Sequence, residues 1–316
     1  MTLGPSGRES WSESTAMGTT VQLCLVDAEP DRAPVLHALV AEVDAALSHF
    51  QPTSEVGRLN ASPGEWLPVG HHLVAVAKAA ERYRALTGGV FDPITGQGGS
   101  DRLRLRPDGR GGWEARLAPG CRLDFGAIAK GYAADLVRDR ARSTGALVSL
   151  GTSSISVGGR PARRDAWRIA ISSPWQALVE TLGYLEVDRG SFSMSGLRGQ
   201  RIHPGEVVAG HVRDPRSGGW ALTDLCTVGV LSEDGMRSEA LSTACLVLGL
   251  RRGLALARRL DLPAVFLTVD GRVLGSPRLA PLLALRTGLV ERLRALREGA
   301  GSSTPVRAED SRQLAT

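Results

Sequence analysis

Apolar and polar residues alternate along "TTVQLCLV" (Thr19 to Val26) up to an Asp-Ala-Glu-Pro turn, a pattern that predicts a strand as the first ordered element. The period then lengthens. A helix is expected from about Ala33 to Ser48, and "HHLVAVAKAAERYRALTGG" repeats its apolar positions with helical spacing until Gly88 and Gly89 supply a stop. "RLRLRPDGRGGWEARL" reads as two alternating segments joined at Pro-Asp-Gly, a hairpin. From Ala146 to Val230 short β-like runs dominate, among them "ALVSL", "WRIAIS", "LGYLEV", "SFSMS" and "LTDLCTVGVL". Two helical runs, Gly235 to Leu248 and Arg251 to Leu260, precede a late strand, "AVFLTV". Helices interspersed with a long antiparallel meander place the chain in the α+β class, mostly antiparallel sheet with packed helices, in two intimate lobes. Leu282, Leu285, Leu289, Leu293 and Leu296 form an apolar stripe that predicts an amphipathic helix over residues 281–298. The expected organisation is a disordered segment over 1–16, a domain over 17–280, that helix, and a disordered tail over 299–316.

Composition narrows the class of partner. A chain of 316 residues with 42% hydrophobic and 22% charged content can bury a substantial core. The formal charge of +5, spread along the chain, suits a small anionic ligand better than nucleic acid. Cys24, Cys121, Cys226 and Cys245 stand far apart, with no C-x-x-C pair, and read as buried thiols. The first twenty residues lack an apolar core of the signal-peptide kind or a lipobox, and no stretch reaches eighteen unbroken apolar residues. The expected location is therefore cytoplasmic, without stable membrane insertion.

The common phosphate-binding and hydrolase motifs are absent: no G-x-x-x-x-G-K-[ST], no G-x-G-x-x-G between strand and helix, no H-E-x-x-H, no G-x-S-x-G. Three other constellations can carry chemistry. In "LDFGAIAKGYAADLV" (Leu123 to Val137), a strand ends at Asp124 and Gly126 leads into a helix expected from Ala127. Unpaired amides at that helix start, with Lys130 one turn in, suit a phosphate or diphosphate; a capped helix with a solvated lysine reads equally well. In "EDGMRSEALSTACLVLG", Glu239 and Thr243 share a helix face and could offer hard oxygen ligands to magnesium; a surface carboxylate and a packing threonine are the commoner use of that spacing. In "GHVRDPRSGG", His211 lies near Asp214, the arrangement that orients a histidine base. His37, His49, His71 and His72 lie on or beside expected helices and need no role beyond solvation, whereas His203, in a Gly/Pro-rich loop, is open.

Taken in order, "MGTTVQL", "LSHFQPTSEVGRLN", "LTGGVFDPITG", "LDFGAIAKGYAADLV", "SMSGLR", "GHVRDPRSG" and "SEALSTACLVLG" resemble the ApbE-like FAD:protein FMN transferases over roughly Met17 to Ala280. The resemblance implies a magnesium-dependent enzyme that moves FMN from FAD to a threonine or serine of an acceptor protein and releases AMP. By matching position it implies flavin-nucleotide contacts at Met17, Phe50, Val90, Phe91, Asp92, Asp124, Lys130 and the backbone of Arg213. It also implies magnesium on the Ala127 carbonyl, Glu239 and Thr243, and His211 as the base. An FAD pyrophosphatase and a flavin-binding protein without turnover are the alternatives. Three departures stand out: Glu239 where aspartate is usual, "TSS" (Thr152 to Ser154) where a Gly-Gly-acid run is expected, and a shortened "QGGSDRL" after the "FDPITG" motif.

Overall fold

The computed structural model describes residues 7–96, 101–175, 181–196 and 212–285. Its first half runs β1 (Glu9–Ala16), β2 (Thr19–Val26), α1 (Arg32–Leu47), α2 (Glu55–Ala61), β3 (Leu67–Val69), α3 (His71–Leu86), β4 (Ile94–Thr95), β5 (Leu103–Pro107), β6 (Trp113–Leu117), β7 (Arg122–Leu123) and α4 (Ala129–Asp139). The second half runs β8 (Gly145–Leu150), β9 (Ser154–Gly159), β10 (Trp167–Ser172), β11 (Thr181–Val187), β12 (Gly190–Gly196), β13 (Leu225–Ser232), α5 (Gly235–Arg259), β14 (Ala264–Thr268), β15 (Val273–Gly275), a 3-10 turn (Ala280–Leu282) and β16 (Leu283–Leu285).

The spine is an eight-stranded sheet in the order β1-β2-β8-β9-β12-β13-β14-β15, antiparallel at every pairing. Because successive side chains on a strand point to opposite faces, each strand feeds two cores. On β2, Val21, Leu23 and Leu25 enter the larger apolar cluster, which gathers α1, α3, α4 and α5 together with the smaller β3-β6-β5 sheet. Cys24 and Val26 turn the other way, into a second cluster closed by the β10-β11-β16 sheet with Trp167, Ile169, Ile171 and Leu185. All four cysteines are buried, and burial pushes the Cys24, Cys226 and Cys245 thiols up to about 12.

α4 and α5 approach closely over the sheet. A Cβ on Gly131 would stand 2.2 Å from the Gly235 carbonyl oxygen, so this crossing requires glycine. Asp135 Oδ2 accepts the Gly235 N–H at 2.6 Å, and Asp234 caps α5 by accepting from Met236 and Arg237. α5 is broken at Gly249 (φ 73, ψ 175), which accounts for two runs in the sequence. By length and composition α5 could cross a membrane, yet 56% of that stretch is buried within the protein.

Two boundaries differ from the sequence expectation. Glu9–Ala16 is a strand, paired residue for residue with β2, so disorder does not extend to residue 16. The His37 ring also meets the Ser12 and Ser14 hydroxyls, at 3.0 and 2.6 Å. At the other end, Leu283–Leu285 is extended, because it pairs with Gly183–Leu185 of β11 and gains ladder hydrogen bonds there. The remainder of the expected 281–298 helix and the 299–316 tail lie outside the described residues.

Candidate active site

The strand β12, "GSFSMSG", alternates strictly. Phe192 and Met194 turn into the cluster beneath the β10-β11-β16 sheet, leaving Ser191, Ser193 and Ser195 toward α4 and α5. The neighbouring β9 behaves likewise, with Ile155 and Val157 on the apolar side and Ser154 and Ser156 toward the helices. The register sets Ser193 beside Ser154 and Ser191 beside Ser156. Hydroxyls buried there need partners, and the helices supply them. Ser193 meets Ser238 at 2.7 Å, and Ser195 meets Ser242 at 2.8 Å and Thr243 at 2.9 Å. Ser156 and Ser191 both donate to Asp135 Oδ1.

Within this polar seam stands Glu239, 5% exposed. Its Oε1 accepts the Ser154 hydroxyl and lies 3.7 Å from Lys130 Nζ. Its Oε2 is buried and has no hydrogen-bond partner among the described residues. A buried carboxylate oxygen left in that condition is costly unless something cationic completes it. Thr243, one turn further along α5, adds a hydroxyl on the same face. These are hard oxygen donors of the kind that suits magnesium, and the orphaned oxygen leaves room for it in the bonding scheme.

The second wall is the turn entering α4. Asp124 Oδ1 accepts the Gly126 N–H at 2.7 Å, an Asx turn, and the helix begins at Ala129, two residues later than expected. Ala127 is exposed in that turn. Lys130 Nζ donates to the Gly126 carbonyl at 3.2 Å, so it folds back over the turn toward Glu239. Asn60 holds β7 from the side, donating to the Leu123 carbonyl and accepting the Leu123 N–H, and so fixes where Asp124 stands. His49, set aside in the sequence, is placed here by the structure, its Nδ1 3.0 Å from Asp124 Oδ1. Its ring lies 3.8 Å from that of Phe50, which is 83% exposed, an apolar face free to stack on a planar ligand.

The remaining expected contacts separate into groups. Met17 sits in the β1–β2 turn with φ 53, its N–H donated to Asp44 Oδ2 at 2.8 Å. Val90 and Phe91 are buried in the larger core, and the Asp92 carboxylate pairs with Arg102 and accepts the Ile94 N–H. Arg213 begins a hairpin, its guanidinium over the Trp220 ring. Asp214, expected beside a histidine base, spends its carboxylate on Arg216, which holds it below the usual carboxylate range. His211 and His203 lie outside the described residues.

One further group could hold a metal. Ligand atoms of Glu42, His71 and His72 lie within 4.8 Å of one another. It is rich in imidazole, which suits zinc rather than magnesium. Moreover, both ring nitrogens of buried His72 have protein partners: Tyr132 Oη at 2.8 Å and Glu42 Oε1 at 3.2 Å.

The site is a buried hydroxyl seam between the sheet and two helices that ends in a half-satisfied carboxylate, a lysine and an Asx turn. The chain belongs to the ApbE family, whose model matches residues 17–101 and 97–266. A Klebsiella pneumoniae protein named FAD:protein FMN transferase is 34% identical over 169 residues, and that match spans only about half of each chain, 52%. A Treponema pallidum protein of the same name is 27% identical over 92% of this chain and 90% of its own. The apo crystal structure of the Pseudomonas stutzeri flavinyl transferase ApbE superposes with a TM-score of 0.76 at 27% identity, over 89% of this chain and 98% of that one.

Proposed function

We propose that this enzyme transfers the FMN moiety of FAD to a threonine or serine hydroxyl of an acceptor protein and releases AMP. The observation that carries the reading is the buried Glu239 carboxylate, with one oxygen left unpartnered beside Lys130, within the stretch that the ApbE family model matches. In the reaction the acceptor oxygen bonds to the FMN phosphorus, the bond from that phosphorus to the bridging oxygen breaks, and AMP departs with the bridging oxygen. The hydroxyl proton passes to a base, the role we assign to His211.

Magnesium, held by the Ala127 carbonyl, Glu239 and Thr243, would neutralise charge on the diphosphate and its leaving oxygen. Lys130 contributes a compact charge at the same place, and its bond to the Gly126 carbonyl aims it. Asp124 closes the turn, with His49 as its partner, and Phe50 offers its exposed ring to the flavin. The buried serines keep water out of the seam while satisfying one another.

The test is incubation with FAD, magnesium and lysate of the source organism, followed by inspection of a denaturing gel for fluorescent protein bands. Labelled acceptor is expected with the wild type and a loss of at least ~10²-fold with Glu239→Ala, since a charge-stabilising group is removed. Accumulation of FMN and AMP with no labelled band would replace the transferase by the pyrophosphatase. An unimpaired Glu239→Ala variant would remove the site.

A further inference from the structure

Glu239 is held asymmetrically. Both of its positive partners, the Ser154 hydroxyl proton and the Lys130 ammonium, gather on Oε1, while Oε2 receives nothing from the described residues. Ser154 is 1% exposed and opens β9, directly across the ladder from Ser193, whose own hydroxyl is engaged with Ser238. A hydroxyl has one proton to give, and a carboxylate can only accept, so the direction of the Ser154 bond is fixed. With Oε1 already engaged by Ser154 and Lys130, contact through the unpartnered Oε2 alone is favoured over a two-oxygen contact.

That matters because divalent cations differ in what they ask of a carboxylate. Calcium accepts one or both oxygens at long distances in a flexible shell; magnesium demands short, near-octahedral, single-oxygen contacts. We propose that Ser154 is a specificity-determining positioning residue: by engaging Oε1 it favours a one-oxygen contact from Glu239 and tilts the site toward magnesium over calcium. The proposal rests on the reading of Glu239 as a cation ligand. It assigns the burial of Ser154 a purpose that packing alone does not require, since alanine would fill nearly the same space.

The experiment uses the full chain, stripped with chelator and supplied with FAD, titrated separately with magnesium chloride and calcium chloride by calorimetry and by the shift in thermal midpoint. The wild type is expected to prefer magnesium. In Ser154→Ala the magnesium-to-calcium affinity ratio should fall by about 10- to 100-fold, the range for loss of a partner that orients a metal ligand. Ser154→Thr, which keeps the hydroxyl, should restore it. If the alanine variant proves unstable by circular dichroism, Ser154→Cys, similar in size with a weak donor, takes its place. An unchanged ratio in a folded variant overturns the role of Ser154 and leaves the cation site standing. A wild type that binds neither cation overturns the cation site and this inference together.

Discussion

The two faces of strand β12 are built by opposite rules. On one face Phe192, with Val157, Leu185, Trp175 and Val265, makes a dry apolar layer under the β10-β11-β16 sheet. On the other, one residue along, Ser191, Ser193 and Ser195 enter a layer of hydroxyls shared with α4 and α5. Burial stabilises the first face by removing apolar area from water; on the second, burial costs desolvation that hydrogen bonds only just repay. The sheet therefore has a side that holds the fold and a side that can tolerate a half-satisfied carboxylate. Glu239 sits where stability is least at stake and where small hydroxyl-bearing residues leave room beside the helix N-termini.

Breaking the apolar face should produce the largest change. Phe192→Ala removes a side chain 1% exposed and is expected to cost about 3–5 kcal/mol in urea unfolding. Where the variant is folded, its affinity for FAD should stay near that of the wild type, because Phe192 turns into the apolar cluster on the opposite face from Glu239. On the polar face, Ser193→Ala removes one of two partners of the Ser238 hydroxyl, which keeps its bond to the Gly235 carbonyl, and is expected to cost about 0.5–1.5 kcal/mol. Removing both hydroxyls together should cost less than the sum of the single changes, a coupling that a double-mutant cycle reads directly.

A smaller effect sharpens the comparison through pH. Burial, reinforced by neighbouring His71, holds His72 below the ordinary histidine value. The unfolded chain then binds a proton that the folded chain refuses, so the contribution is intact above about 6.5 and shrinks as pH falls through the folded value. On the apolar face the sign reverses in chemistry and in direction. Cys24 and Cys226, pushed up to about 12 by burial, stay protonated when folded, so stability is lost as pH rises from the ordinary thiol value of 9.0 toward 12. Thermal midpoints across both ranges should show the acid limb flatten in His72→Gln and the alkaline limb flatten in a Cys24→Val, Cys226→Val double variant.

Much of this architecture was legible in the apolar periodicity. α1, α3 and both halves of α5 follow it, and the β5–β6 hairpin follows Pro-Asp-Gly. β1 was not legible, because "ESWSESTA" is polar on both faces and is ordered by pairing, a contact nineteen residues distant at its far end in the case of the Arg8 N–H on Asp27. Leu283–Leu285 misled for the opposite reason: a leucine stripe with helical spacing found a free strand edge first. In the site, Asp124, Lys130, Glu239 and Thr243 stood out by type and spacing; the structure sets Lys130 beside Glu239, and Asp124 and Lys130 both bond to Gly126. His49 and Ser154 did not, since each acquires its meaning only from a partner far along the chain, Asp124 and Glu239. The one available signal was the run "SFSMS" beside "SISV", two strands with hydroxyls at every second position, which marks a buried polar face.

The strand ahead of Met17 bears on how the protein behaves when shortened. The region matched by the family model starts at residue 17, so Glu9–Ala16 is the obvious piece to trim. Trimming it would uncover the flank of β2, eight residues whose backbone groups are now paired and whose last four are buried. An open edge of that length is a template for another copy of the same strand, and a shortened chain would trade monodispersity for edge-to-edge aggregation.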